Sequence, residues 1–411
     1  MTETFMTALQ IQSVRHLKNI TIPLSSTDRK SLILTGKNGS GKTSVLTALK
    51  SMLTYLVSNN FYPEEFVKDR LENLGQQYVP YAEDEQTKLN NAQLKGRKDL
   101  WKNHMIFWTT GAIPQYTSYA DLRDKYNSGK YILAFYTDDR EISVDTSDTI
   151  EKVNLPPFYD IAAHPSKQLV KYLVNLKTTQ AFAQAKNDTE RANEIADWFS
   201  RFEDILRELF EDESLNLVFN IDTFKFTIQL KNREPFDFNS MSMGYAAVFD
   251  IIGDLIMRME AQKNYNLEGL VLIDEIETHL HVELQKKIMP ILMKLFPNIQ
   301  FVLTSHSPFI LNSTPDTVVY DLENQTLAEN GLTNLPYEGI VEGYFGADLL
   351  SDELKEKFEE YRSIVHKQDL TDADWAKVAE LELYLDEVPD YLAIDFAAEY
   401  NRLQLELSER G

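Results

Sequence analysis

Eight residues constrain this chain more than any others. Gly36-Lys37-Asn38-Gly39-Ser40-Gly41-Lys42-Thr43 fits GxxxxGK[ST] at every fixed position. Its flanks agree with it. Leu32 to Thr35 read as a short buried strand, and Ser44 to Leu53 as a helix. That order is what a phosphate-binding loop needs, because glycines let backbone N–H groups curl around phosphates at a helix start. In such a loop Lys42 meets the β- and γ-phosphates of a nucleotide, and the Thr43 hydroxyl meets Mg²⁺. A glycine-rich turn that binds nothing would rarely combine the strand, the glycines, the Lys-Thr pair and the helix.

Composition narrows the classes further. A chain of 411 residues is long enough for two or three domains. With no cysteine it has neither disulfides nor thiolate metal sites, which suits a cytoplasmic protein. The opening Met1-Thr-Glu-Thr-Phe-Met lacks the pattern of a signal peptide, and no apolar run is long enough to span a membrane, so no membrane partner is expected. The net charge is −23, and residues 321–411 hold 23 acidic and 7 basic residues. A surface this acidic repels nucleic acid at long range, so any DNA contact is expected to be indirect or through a local basic patch.

Along the chain, Ala8 to Val14 and Leu17 to Leu24 alternate like a strand pair. From Phe61 to about Trp108 the pattern becomes polar and helical, an inserted hairpin with the basic run Lys95-Gly-Arg-Lys98. Tyr131 to Tyr136 reads as a strand, and helices are expected over 167–182 and 190–210. A β-hairpin over 215–230 turns near Asp222. We therefore divide the chain into 1–60 with the phosphate loop, 61–130 as a helical insertion, 131–320 as the rest of the nucleotide-binding body, and 321–411 as an acidic helical extension.

Three further stretches carry chemistry. Leu270-Val-Leu-Ile-Asp274-Glu275 is an apolar strand ending in two carboxylates. Beside a phosphate loop, Asp274 would hold Mg²⁺, directly or through water, and Glu275 would act as general base on the attacking water. Phe301-Val-Leu-Thr-Ser-His306 is a second such strand, whose histidine would sit beside the γ-phosphate. Ser242-Met-Gly244 opens a helix running to Met259, and free N–H groups at a helix start suit a phosphate; a plain capped core helix has the same signature. Ser44 completes the nucleotide-binding set at the loop.

Taken together, these motifs resemble an ABC-type ATPase head of the RecF, SMC and OLD branch. The wording Ile276-Glu-Thr-His-Leu-His281 and Thr304-Ser-His-Ser-Pro resembles the AAA-type ATPases of bacterial anti-phage defence operons, the Septu family among them. The resemblance implies an α/β fold: an ABC-type P-loop ATPase head with a helical insertion and a C-terminal helical extension. It implies ATP and Mg²⁺ as ligands, and at least a head-to-tail homodimer with ATP between the loop of one head and Ser242–Gly244 of the other. It also implies a separate effector chain, an HNH-type nuclease or a toxin. Two departures stand out: Met-Ser-Met-Gly-Tyr replaces the family's Leu-Ser-Gly-Gly-Gln, and His281 stands where many heads carry aspartate. Arg140 is a candidate γ-phosphate contact.

An effector within the chain is not expected. Asp372-Ala-Asp374 has the spacing of a nuclease carboxylate pair, but its surroundings read as a helix N-terminus, where acids favour the macrodipole. Arg362 and His366 fall four apart on a helix, and His279 and His281 lack companions for a metal. Three classes stay open: an ATP-gated defence sensor, a RecF-like repair ATPase acting on DNA, and a non-hydrolysing ATP-bound scaffold. For the acidic extension, docking of a basic partner and mere solubilisation both remain.

Overall fold

The computed structural model describes residues 3–81, 83–138, 152–231, 233–344, 351–367, 369–386 and 394–408. The chain divides into two compact units, Met1–Asn334 and Leu335–Gly411.

The first unit is built on two sheets. β1 (Met6–Val14) and β2 (Leu17–Pro23) form the expected antiparallel pair, with one face of β2 buried and the other exposed. β3 (Ser31–Thr35) is buried throughout, as befits a strand flanked on both sides by parallel neighbours. After it come the loop, α1 (Lys42–Val57), and a helical hairpin of α2 (Glu64–Gln76) and α3 (Glu85–Thr109). The span 61–130 is not helical throughout: β4 (Gly111–Tyr116) returns to pair with β1 and completes a three-stranded sheet, and α4 (Tyr119–Asn127) follows. The short alternation in Gly-Ala-Ile-Pro-Gln-Tyr was hidden by its proline, which an edge strand tolerates.

β5 (Tyr131–Tyr136), α5 (Leu169–Ala185) and α6 (Thr189–Phe210) come next, then the hairpin β6 (Asn216–Asn220) and β7 (Lys225–Gln229) and helix α7 (Met243–Glu260). β8 (Glu268–Ile273), α8 (Val282–Leu295), β9 (Ile299–Thr304), α9 (Pro308–Leu311), β10 (Thr317–Asp321) and β11 (Thr326–Leu332) complete the unit. The main sheet has the order β11-β10-β3-β9-β8-β5, parallel except for β11 at its edge. The acidic extension expected from 321 therefore starts later, because β11 still belongs to this sheet. Thr-Leu-Ala-Glu-Asn-Gly-Leu is mostly exposed and lacks the apolar run of its neighbours, so its strand character was not legible.

Register brings the business ends together. Leu32 lies beside Val302 and Ile273 beside Leu303, so β3, β9 and β8 end at one level with Thr35, Thr304 and Ile273. Ligands of open α/β sheets bind at such carboxyl ends. Two buried polar side chains lock the layers. Gln300 accepts the Met6 N–H at 2.8 Å and donates to the Met6 and Lys30 carbonyls, tying the smaller sheet to the larger. On α7, Arg258 pairs with Asp254 at 2.5 Å and donates to the carbonyls of Leu133, Asp160 and Ala163, while the Tyr136 hydroxyl donates to Asp254.

The second unit holds α10 (Tyr337–Gly339), α11 (Asp352–Val365), α12 (Asp372–Leu385) and α13 (Ile394–Ser408). Leu381 and Leu385 lie in a core of this unit's own with Phe358, Tyr361, Tyr400 and Leu403. Asp374 forms a capping box with Thr371 and pairs with Lys367, which accounts for the Asp-x-Asp spacing without a nuclease.

Arg258→Met should cost about 3–5 kcal/mol, because it strands the Asp254 carboxylate in the core. Thermal unfolding measures it; a melting temperature equal to that of the wild type would show the pair to be dispensable.

Candidate functional site

The loop between β3 and α1 has the backbone its sequence calls for. Gly36, Gly39 and Gly41 sit at φ +130°, +87° and +101°, in the left-handed region that favours glycine. At Gly36 space is tight as well: a Cβ there would lie 2.8 Å from the Ser40 hydroxyl oxygen and 3.1 Å from an Asp321 carboxylate oxygen, so those side chains would have to shift. Gly41 caps α1 without a side chain, so the first-turn N–H groups, those of Lys42, Thr43 and Ser44, are left for a ligand. Lys37, Asn38 and Gly39 form the exposed crest, with Lys37 paired to Glu323 at 3.2 Å.

Lys42 is the electrostatic centre. Its ammonium donates to the carbonyls of Gly36 at 2.9 Å and Lys37 at 3.1 Å. Burial pushes its pKa down, and the carboxylates of Glu275, Glu277, Asp274 and Asp321 pull it back up. The Ser40 hydroxyl is buried with no hydrogen-bond partner among the described residues.

The two acidic and hydroxyl-bearing strand ends are joined by one side chain. Thr304, the last residue of β9, donates to Asp274 Oδ1 at 2.5 Å and accepts the Glu275 N–H at 2.7 Å. Thr43 donates to the same Asp274 oxygen at 3.3 Å. Glu275 is held at φ +44°, a left-handed conformation costly for a residue with a Cβ and typical of functional sites. A carboxylate beside a hydroxyl fits Mg²⁺, which takes few protein ligands alongside water and phosphate oxygens. Among the described residues there is no cluster of three or more His, Cys, Asp or Glu for a tighter metal.

His306 follows β9. Its backbone N–H donates to Glu277 Oε1 at 2.5 Å, and its Nε2 is buried without a partner among the described residues. Burial and the Lys42 charge hold its imidazole below the ordinary range and so neutral.

Lys42, Thr43, Asp274, Glu275 and His306 thus converge. Ser242 and Gly244 do not join them in the same chain. Ser242 caps α7 by position but makes no side-chain capping bond, and it is exposed. A Cβ at Gly244 would lie 3.0 Å from the His279 carbonyl, so this helix start packs on the turn before α8. His281 caps α8 and is exposed. Arg140 lies outside the described residues. Sequence reasoning passed over Thr304, Glu277 and Asp321. Thr304 and Asp321 end apolar strands aligned with the loop, a signal that was present; Glu277 is brought in by a turn.

Residues 139–312 match the family described as "AAA domain, putative AbiEii toxin, Type IV TA system". The Septu protein PtuA of Bacillus mycoides (strain KBAB4) is 22% identical across 99% of this chain and 55% of its own length. The Retron Ec83 probable ATPase of Escherichia coli is 27% identical across 36% of this chain and 29% of its own. The chain therefore spans 55% of the first of these relatives and 29% of the second. The SMC head domain from Thermotoga maritima is 12% identical across 77% of this chain and 94% of that one, with a TM-score of 0.35. The chain is thus similar in sequence to the Septu PtuA and retron ATPases, and it carries the phosphate loop and parallel sheet that a P-loop nucleotide-binding fold requires.

His306 should titrate below 6.5, and Lys42→Met should raise its pKa by removing one of the two causes. Because the folded value is depressed, the stability His306 contributes is present above the unfolded pKa and is lost as pH falls through the folded one. Imidazole proton shifts followed by NMR give both values; an unmoved pKa in Lys42→Met would exclude coupling between the two.

Proposed function

We propose that the chain binds and hydrolyses ATP as the sensor subunit of a bacterial anti-phage defence complex. The observation that carries this reading is the convergence of Lys42, Thr43, Asp274, Glu275 and His306 at the ends of three aligned strands. On this reading the loop N–H groups and Lys42 hold the β- and γ-phosphates, where charge-assisted hydrogen bonds are strongest. Thr43 and Asp274 would hold Mg²⁺, which when bound neutralises phosphate charge. Glu275, just past the end of β8, takes the proton of the attacking water. His306, neutral, serves as a hydrogen-bond donor or acceptor at the γ-phosphate rather than as a second cation.

Ser242 and Met243 are exposed at the start of α7 and make no contact with the phosphate loop of their own chain, so a second copy's loop is their natural partner. Two heads would then close head-to-tail on ATP and control a separate nuclease or toxin. The Septu and retron relatives support the defence setting, because both belong by name to such systems. Among the described residues no helix is long and apolar enough to cross a membrane.

Lys42→Ala should abolish most ATP affinity, read by calorimetry; wild-type affinity in that variant would remove the basis of the assignment. Glu275→Gln should keep ATP binding and slow hydrolysis by about 10²-fold or more, as loss of a general base does. In light scattering it should also accumulate as an ATP-dependent dimer. Hydrolysis at the wild-type rate would move the base elsewhere.

A further inference from the structure

Glu277 has no part in the reading above, yet its surroundings ask for one. It is placed by a tight turn, in which the Thr278 N–H donates to the Glu275 carbonyl and the Leu280 N–H to the Glu277 carbonyl, each at 2.9 Å. One carboxylate oxygen accepts the His306 N–H at 2.5 Å. The other, Oε2, is buried and has no hydrogen-bond partner among the described residues. His306 Nε2 is in the same condition. The hydrogen bond between Glu277 and His306 brings the two residues with orphaned atoms together, and both are coupled electrostatically to Lys42. A buried polar atom without a partner is costly, and two of them on residues bonded to each other mark a polar space kept for a ligand.

The chemistry says which ligand atom. A carboxylate oxygen repels the phosphate oxygens and accepts a hydrogen bond from water. Burial raises the pKa of Glu277, while the His306 N–H and the Ser305 hydroxyl draw it back. The fixed bond to His306 keeps one oxygen engaged and leaves the other pointing elsewhere.

We propose that Glu277 is a positioning residue of the hydrolytic step, one oxygen clamping the His306 backbone and the other accepting a hydrogen bond from the attacking water. This rests on Glu275 as general base. Glu275 takes one proton as the water oxygen bonds to the γ-phosphorus and the bond to the ADP oxygen breaks. Glu277 takes no proton; with two acceptors the water has one orientation rather than many. His306 and the water are thereby set by the same side chain, and a small misplacement of either is expensive in rate.

The clamp is read on nucleotide-free protein labelled with ¹⁵N-histidine, seven residues in all. The His306 N–H resonance, identified by its loss in His306→Asn, should lie far downfield, stay close to that in Glu277→Gln and move upfield in Glu277→Ala. In ATPase assays both Glu277 variants should keep ATP affinity and lose about ten- to 10²-fold in kcat, the scale of a misplaced reactant. Combining Glu277→Ala with His306→Ala should cost less than the product of the single losses, since one acts through the other. If Glu277→Ala does not fold, Glu277→Gln decides, because it keeps the clamp and removes the free acceptor. An unmoved resonance, a wild-type kcat in Glu277→Gln, or losses that multiply would overturn the proposal. A wild type that hydrolyses no ATP sinks the ATPase reading and this role with it. An active wild type indifferent to Glu277 sinks this role alone.

Discussion

The candidate site depends on three parallel strands ending at one level. β3, β9 and β8 are in register, so the residues just past them share one crevice. Thr304 enforces that alignment chemically, since its one hydroxyl donates to Asp274 and accepts from the Glu275 backbone. Move β9 by a single residue and this hydroxyl would face the other side of the sheet. The buried Gln300 of β9 ties the same sheet to β1, and Arg258, paired with Asp254, ties its β5 edge to α7. Their cost in desolvation is offset because the Gln300 amide and the Arg258 guanidinium are engaged, and Asp254 Oδ2 accepts from both Arg258 and Tyr136, although its Oδ1 has no hydrogen-bond partner among the described residues.

Electrostatics at the crevice run against a simple anion site. Lys42 faces four carboxylates, those of Glu275, Glu277, Asp274 and Asp321. On the proposed reading such a pocket favours a polyphosphate that arrives with its divalent cation, because the bare anion would meet more negative than positive charge. The backbone donors of the loop and the first turn of α1 supply attraction without adding a titratable group. Depression of the His306 pKa follows from the same crowding: an imidazolium beside Lys42 in a half-buried site would be doubly penalised.

The second unit is acidic outside and apolar inside. Its helices are capped by Ser351 and Thr371, and their apolar positions meet in a core around Tyr361 and Leu403. Arg362, considered for catalysis on spacing alone, is bonded to Glu359 and Glu399.

Much of this was legible in the chain. Local chemistry is self-contained in the phosphate loop: glycines at positive φ, a lysine and a threonine at fixed spacing leave little freedom, so eight residues announced the strand, the turn and the helix. β5, β8 and β9 were legible because strands buried on both faces carry mostly apolar residues. β4 and β11 were not, since an edge strand has only one partner and tolerates proline or polar residues; pairing with β1 and β10 made them strands. The same division holds at the site. Asp274, Glu275 and His306 could be read from the sequence because each ends an apolar run. That Glu277 reaches His306 was decided by a turn at a left-handed Glu275 and by the register of two strands, contacts across about thirty residues that no local pattern encodes.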